Sequence, residues 1–234
     1  MGSYSLKKYL EGNVSRVNEA CSIVLKKRKK YTNYVKKCHK NDSIKDFSKL
    51  VSKNNEISED DKKLVLCEYE KMKIWIKTLL SVYASIPNII KIIDQIVSSH
   101  ASNPYVTFGG NAFCDIEKVI DFCDRKNKLL NIQLMTNKLI EFSNEDEKRI
   151  IYFKFRDRAT IETIAKFLMI EKRSVYRKID AIIGKLATFA LSQGWSTDFI
   201  SKQVNNEPWI EERFNDYAGE AQKRTKTNVS EREL

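Results

Sequence analysis

The chain has 234 residues, with 42 Lys plus Arg against 31 Asp plus Glu and a formal net charge of +11. That length supports one or two domains with a real core, and a composition 42% hydrophobic and 31% charged excludes a disordered chain. Seven glycines and three prolines are too few for a turn-rich sandwich or barrel, so the expected fold class is all-α: long helices followed by a three-helix helix-turn-helix domain.

The charge is concentrated at the start. Residues 1–50 hold 13 basic and 4 acidic side chains, a net of +9 out of +11. Val14, Val17, Ala20, Cys21, Val24 and Leu25 fall at helical spacing and lead into Lys26-Lys27-Arg28-Lys29-Lys30. Residues 1–57 therefore read as a basic helical arm, with Lys27, Arg28 and Lys29 as candidate phosphate contacts. An anionic membrane surface is the weaker alternative, because the apolar face is better explained by packing; no membrane partner is expected. No apolar leader precedes a small-residue cleavage site, and the five cysteines are scattered and odd in number. Free thiols in a reducing cytoplasm are the expected setting.

Residues 58–142 form the long-helix middle region. Ser58-Glu59-Asp60-Asp61 is a capping-box-like start. Leu64, Val65, Tyr69, Met72, Trp75, Ile76, Leu79, Leu80 and Tyr83 make one wide apolar stripe. Pro87 ends or kinks that helix, and Asn88 to Ser99 reads as another. The region Ile74 to Val97 is apolar but broken by Lys77, Pro87, Lys91 and Asp94, so no span of about 18 apolar residues exists. Asn103-Pro104 and Gly109-Gly110-Asn111 mark a loop, and Asp115 to Phe142 is again a long helical pattern. The two long helices are candidates for dimerisation or for docking on RNA polymerase.

Residues 143–193 are the informative part. Ser143-Asn144-Glu145-Asp146 opens a helix to about residue 155, with Arg156-Asp157-Arg158-Ala159 as a link. Thr160 caps a helix from Ile161 to Leu168, Met169-Ile170-Glu171 is a turn, and a longer helix runs from Lys172 to about Ser192. Gly194 is placed to end it. Ile164, Ala165 and Leu168 face inward, Ile170 plugs the turn, and Val175, Ile179, Ile182 and Leu186 form the buried stripe. Arg173 and Arg177 point away from that stripe, sharing their face with the small Ser174, Ala181 and Gly184. Such a face suits a major groove: Arg pairs bidentately with guanine, and Ser bonds a base or a phosphate. The base-reading candidates are thus Arg173, Ser174 and Arg177. Thr160, Lys172, Tyr176 and Lys178 are the flanking phosphate candidates.

Thr160, Ile164-Ala165, Leu168, Ile170, then Ser174-Val175-Tyr176-Arg177 and Lys185-Leu186 resemble region 4 of bacterial sigma factors. They are closer still to the sigma-like late transcription regulators of phages of Gram-positive bacteria, the ArpU and RinA group. The resemblance implies a recognition helix beginning at Lys172 to Lys178. Met169 departs from it, standing where such motifs usually carry a glycine in a left-handed turn. The basic 57 residues at the start exceed the family pattern.

Trp75, Trp195, Trp209, Phe153, Phe155 and Phe167 are expected in the core. Cys38-His39, Cys114, Cys123 and His100 lack zinc-site spacing, Gly109-Gly110 has no phosphate-loop lysine, and no nucleophile has a histidine partner. No metal, cofactor or catalysis is expected. From about Ala218 apolar residues almost vanish, so 194–234 reads as a polar, partly disordered tail. The expected function is sequence-specific binding of duplex DNA as a transcription regulator. The alternatives are a polymerase-docking adaptor with weak DNA binding of its own, and a helical scaffold that binds nucleic acid without sequence preference.

Overall fold

The computed structural model describes residues 59–102 and 112–230. The residues expected to form the basic arm and the loop near 103–111 lie outside them. Every regular element among the described residues is helical: α1 (Glu59–Val82), α2 (Ile86–Ser102), α3 (Ala112–Phe142), α4 (Glu145–Ile151), α5 (Ile161–Leu168), α6 (Lys172–Ser192), α7 (Thr197–Val204) and α8 (Pro208–Ser230). A π-helical turn, Tyr152–Arg156, follows α4 directly.

Local chemistry sets the boundaries. Pro87 occupies the first turn of α2, where a missing N–H costs nothing, so it starts that helix as α1 ends. Asn144 caps α4 through a full capping box: its side chain accepts from the Glu147 N–H, and the Glu147 carboxylate accepts from the Asn144 N–H. Thr160 and Ser196 cap α5 and α7 by the same side-chain-to-backbone device.

The apolar stripe of α1 lies inside the molecule. Met72, Ile76 and Leu79 are fully buried, with Val65, Tyr69, Trp75 and Leu80 close behind. Leu64 is the exception and stands exposed. α1 crosses α6, α7 and α8, and one continuous core cluster runs from Val65 through Leu139 and Leu186 to Ile210. That core spans the expected division at residue 142. Phe142 stacks on Phe189 at 4.0 Å between ring centroids, joining the end of α3 to α6.

Residues 197–214 are packed helix and not part of a polar tail, while the last residues, 231–234, lie outside the described ones. α7 buries Thr197, Ile200 and Val204, α8 buries Ile210, and Phe214 stacks on Trp75 at 4.2 Å. Polar contacts fix these helices. Glu68 of α1 accepts from both the N–H and the hydroxyl of Thr197, at 2.8 and 2.9 Å. Glu207, 1% exposed, accepts from Arg125 of α3 at 2.6 and 3.0 Å and from the Trp209 indole at 2.7 Å. The carboxylate bond holds the Arg125 guanidinium above its ordinary pKa. Sparse apolar spacing therefore suffices here, because α1 and α3 supply the opposing face.

No single described helix is long and apolar enough to cross a membrane; α1 and α2 pass by length and composition only as a pair bent by 62°.

Candidate nucleic-acid interface

The site is built on α5, a short turn and α6. α5 buries Ile164 and Ala165, with Leu168 and Ile170 half-buried against the core. α6 buries Val175, Ile179, Ile182 and Leu186 along one side. The two helices meet along these faces, as their spacing requires.

The turn between them keeps a left-handed residue. Met169 has φ +52° and ψ +41°. Around it, the Ile170 N–H donates to Ala165 O and the Met169 N–H donates to Lys166 O. This is a Schellman closure, normally built on glycine. The left-handed conformation is thus held by a side chain that disfavours it, and the methionine side chain stands 92% exposed. Gly194 closes α6 the same way, with φ +77° and the Trp195 N–H donating to Ala190 O.

Lys172, Arg173, Arg177 and Lys178 are all exposed in the first two turns of α6. Arg173 and Arg177, one turn apart, share a face. Among the described residues neither pairs with a carboxylate, and Lys178 pairs with none. Tyr176 is half exposed on the flank. The remaining candidates are partly covered or already engaged. Ser174 is half-buried at the margin of the face. Lys172 reaches back to Glu162 of α5 at 3.4 Å. The Thr160 hydroxyl accepts from the Thr163 N–H and lies 2.8 Å from the Thr163 hydroxyl, so the helix cap engages it. Lys27, Arg28 and Lys29 fall outside the described residues.

Gly184 does not belong to this face. A Cβ built on it would lie 2.8 Å from the Tyr69 hydroxyl of α1. One turn earlier, Asp180 approaches Lys77 of α1 at 3.9 Å. Asp180 and Ala181 remain exposed, so α1 covers the outward line of α6 only from about Gly184, which is small because α1 crosses there. The free basic face is confined to the first two turns. A helical wheel separates outward from inward residues but does not show which outward residues a third helix covers.

Two further features escape the sequence reading. Phe167, expected in the core, is 59% exposed and packs at a tilt on Phe153. It sits near Met169 at the end of α5, so the turn carries an apolar tip beside the basic face. Before α5, the π-helical turn carries Arg156, which lies over the Tyr152 ring and pairs with Asp157 at 2.8 Å. That bond raises the Arg156 pKa. Arg158, also exposed, takes a left-handed φ of +52° in the link to α5. No spacing rule marks a π-helical insertion in advance.

No protein-family model, curated protein or solved structure matches this chain.

Proposed function

We propose that this protein binds duplex DNA sequence-specifically and regulates transcription, with α6 as the reading helix. The observation that carries the reading is the exposed, unpaired Arg173 and Arg177 on the first two turns of a helix whose other end is anchored in the core. An α-helix fits the major groove, and each arginine can take guanine O6 and N7 together. Lys178 and Tyr176 stand where phosphates flank the groove. Lys172, Ser174 and Thr160 act at the margins, with the free N–H groups at the start of α5 favouring a phosphate there. Lys27, Arg28 and Lys29 would add sequence-independent attraction to the backbone. The sigma-region-4 resemblance supports the same assignment, including a phage or mobile-element late regulator as the kind of protein.

The test is selection of bound duplexes from a random pool by the full chain at near-physiological salt. An enriched motif that Arg177→Ala no longer enriches supports the reading. Retention without enrichment overturns base reading and leaves only electrostatic binding.

A second reading has its own observation. Phe167 and Met169 form an exposed apolar tip beside the basic face, a surface that suits a protein partner. RNA polymerase docking through that tip would make DNA affinity depend on the enzyme. Recruitment of the chain to promoter DNA by polymerase, lost on Phe167→Ser with Met169→Ser, supports this reading.

A further inference from the structure

α3 carries two apolar faces. Leu129, Ile132, Met135 and Leu139 are buried in the core. On the opposite side stand Ile116, Ile120, Cys123, Asn127, Leu130 and Leu134, separated by alternating steps of four and three residues. Ile116, Ile120 and Leu134 are 59, 54 and 58% exposed, Leu130 is 36% exposed, and Cys123 and Asn127 are exposed as well. Four large aliphatic side chains on one line over five turns, with Cys123 and Asn127 between the two pairs, are not scattered surface residue usage.

We propose that this outward line of α3 is the seam of a short parallel two-stranded coiled coil with α3 of a second copy of this chain. The 4-3 spacing is the heptad repeat, with Ile120, Asn127 and Leu134 at a positions and Ile116, Cys123 and Leu130 at d positions. The occupant follows from Asn127. A single asparagine at a is poorly matched to an apolar partner but pairs with its own copy across a parallel dimer axis, fixing register and two-strandedness. In an antiparallel pairing that aligns the whole seam, Asn127 would face Cys123 and leave its amide unmatched. In the parallel one, like meets like at every layer.

The seam is short, about 27 Å from Ile116 to Leu134. An isolated peptide of this length would bear the cost of forming its helix. α3 bears none, since its inner face already holds it helical against the core. Among the described residues, the margins of the seam are occupied and the seam itself is exposed. Lys126 pairs with Asp94 of α2 on one side, and Asn131 bonds to Gln203 of α7 on the other. α1, the other long helix, offers no comparable face, because its stripe is buried within the chain. This inference rests on α3 alone and holds whether or not α6 reads DNA.

The experiment is the solution mass of the full chain by light scattering or sedimentation, with Ile120→Glu, Leu134→Glu and Asn127→Leu beside it. Wild type sediments at twice the chain mass at micromolar concentration. The two glutamate variants drop to the chain mass with unchanged helicity, because both side chains are more than half exposed, and their melting no longer depends on chain concentration. Asn127→Leu tightens association or admits higher oligomers. A chain that retains only Cys123 among its five cysteines forms a disulfide-linked dimer with diamide, which takes up the two thiol hydrogens and electrons. A wild-type chain that stays monomeric overturns the proposal, as does a dimer unmoved by Ile120→Glu. A dimer in which Cys123 fails to cross-link overturns the parallel register.

Discussion

In the first seven residues of α6, Lys172 to Lys178, four are basic and exposed. In its last eleven, Ile182 to Ser192, eight are buried. The same continuous helix is free surface at one end and core at the other, and α1 crosses its outward line at Gly184. The buried end fixes the position and angle of the exposed end. The proposed reading of DNA by this helix needs that, since a side chain displaced by a fraction of its length no longer meets a base edge. The two ends should therefore respond to substitution in opposite ways, one in stability and the other in binding.

The largest effects belong to the buried side. Arg125→Ala leaves the Glu207 carboxylate buried with only the Trp209 indole as partner, and the expected loss is about 3–5 kcal/mol of unfolding free energy. Leu186→Ala opens a cavity in the fully buried half of α6 and should cost about 2–5 kcal/mol. Chemical denaturation checks both. Below the melting range, DNA selectivity should survive in each. A Leu186→Ala chain that remains as stable as wild type would contradict the division of α6 drawn here.

The exposed end should show the reverse. Arg177→Ala is expected to leave the denaturation midpoint unchanged and to weaken the preferred DNA site by about 1–3 kcal/mol, with relaxed selectivity at one position. Titration against matched and mismatched duplexes measures it. An equal loss on all duplexes would remove Arg177 from base reading and leave it a phosphate contact.

Much of this division was legible in the sequence. The α5 and α6 boundaries follow from Thr160, from the apolar period and from Gly194, all local signals. The buried stripe of α6 and the outward direction of Arg173 and Arg177 follow from helical geometry alone. What the sequence hid depends on a third element. Gly184 reads as a small residue on the outward basic face until α1 is seen to cross it. Ile200, Val204 and Ile210 are too sparse to announce a core until α1 and α3 face them, and Glu207 reads as a solvated acid until Arg125 reaches it. The left-handed Met169 was legible as a conflict between its residue type and its position, and the conflict is real in the structure.

That conflict sharpens the comparison at the smallest scale, because α5 and α6 close with the same hydrogen-bond pattern on different residues. At Gly194 the left-handed conformation carries no Cβ penalty, and at Met169 it does. Met169→Gly should relieve that strain and stabilise the chain by about 1 kcal/mol, less the entropy glycine adds to the unfolded state. Gly194→Ala should destabilise it by about 1 kcal/mol, from strain alone, since nothing lies within 4 Å of an added Cβ there. Opposite signs at two equivalent turns would identify backbone strain as the cause. If Met169→Gly instead destabilises, the exposed methionine makes a contact that offsets its conformation. If stability rises while polymerase-dependent binding falls, the strain is kept for the apolar tip that Met169 forms with Phe167.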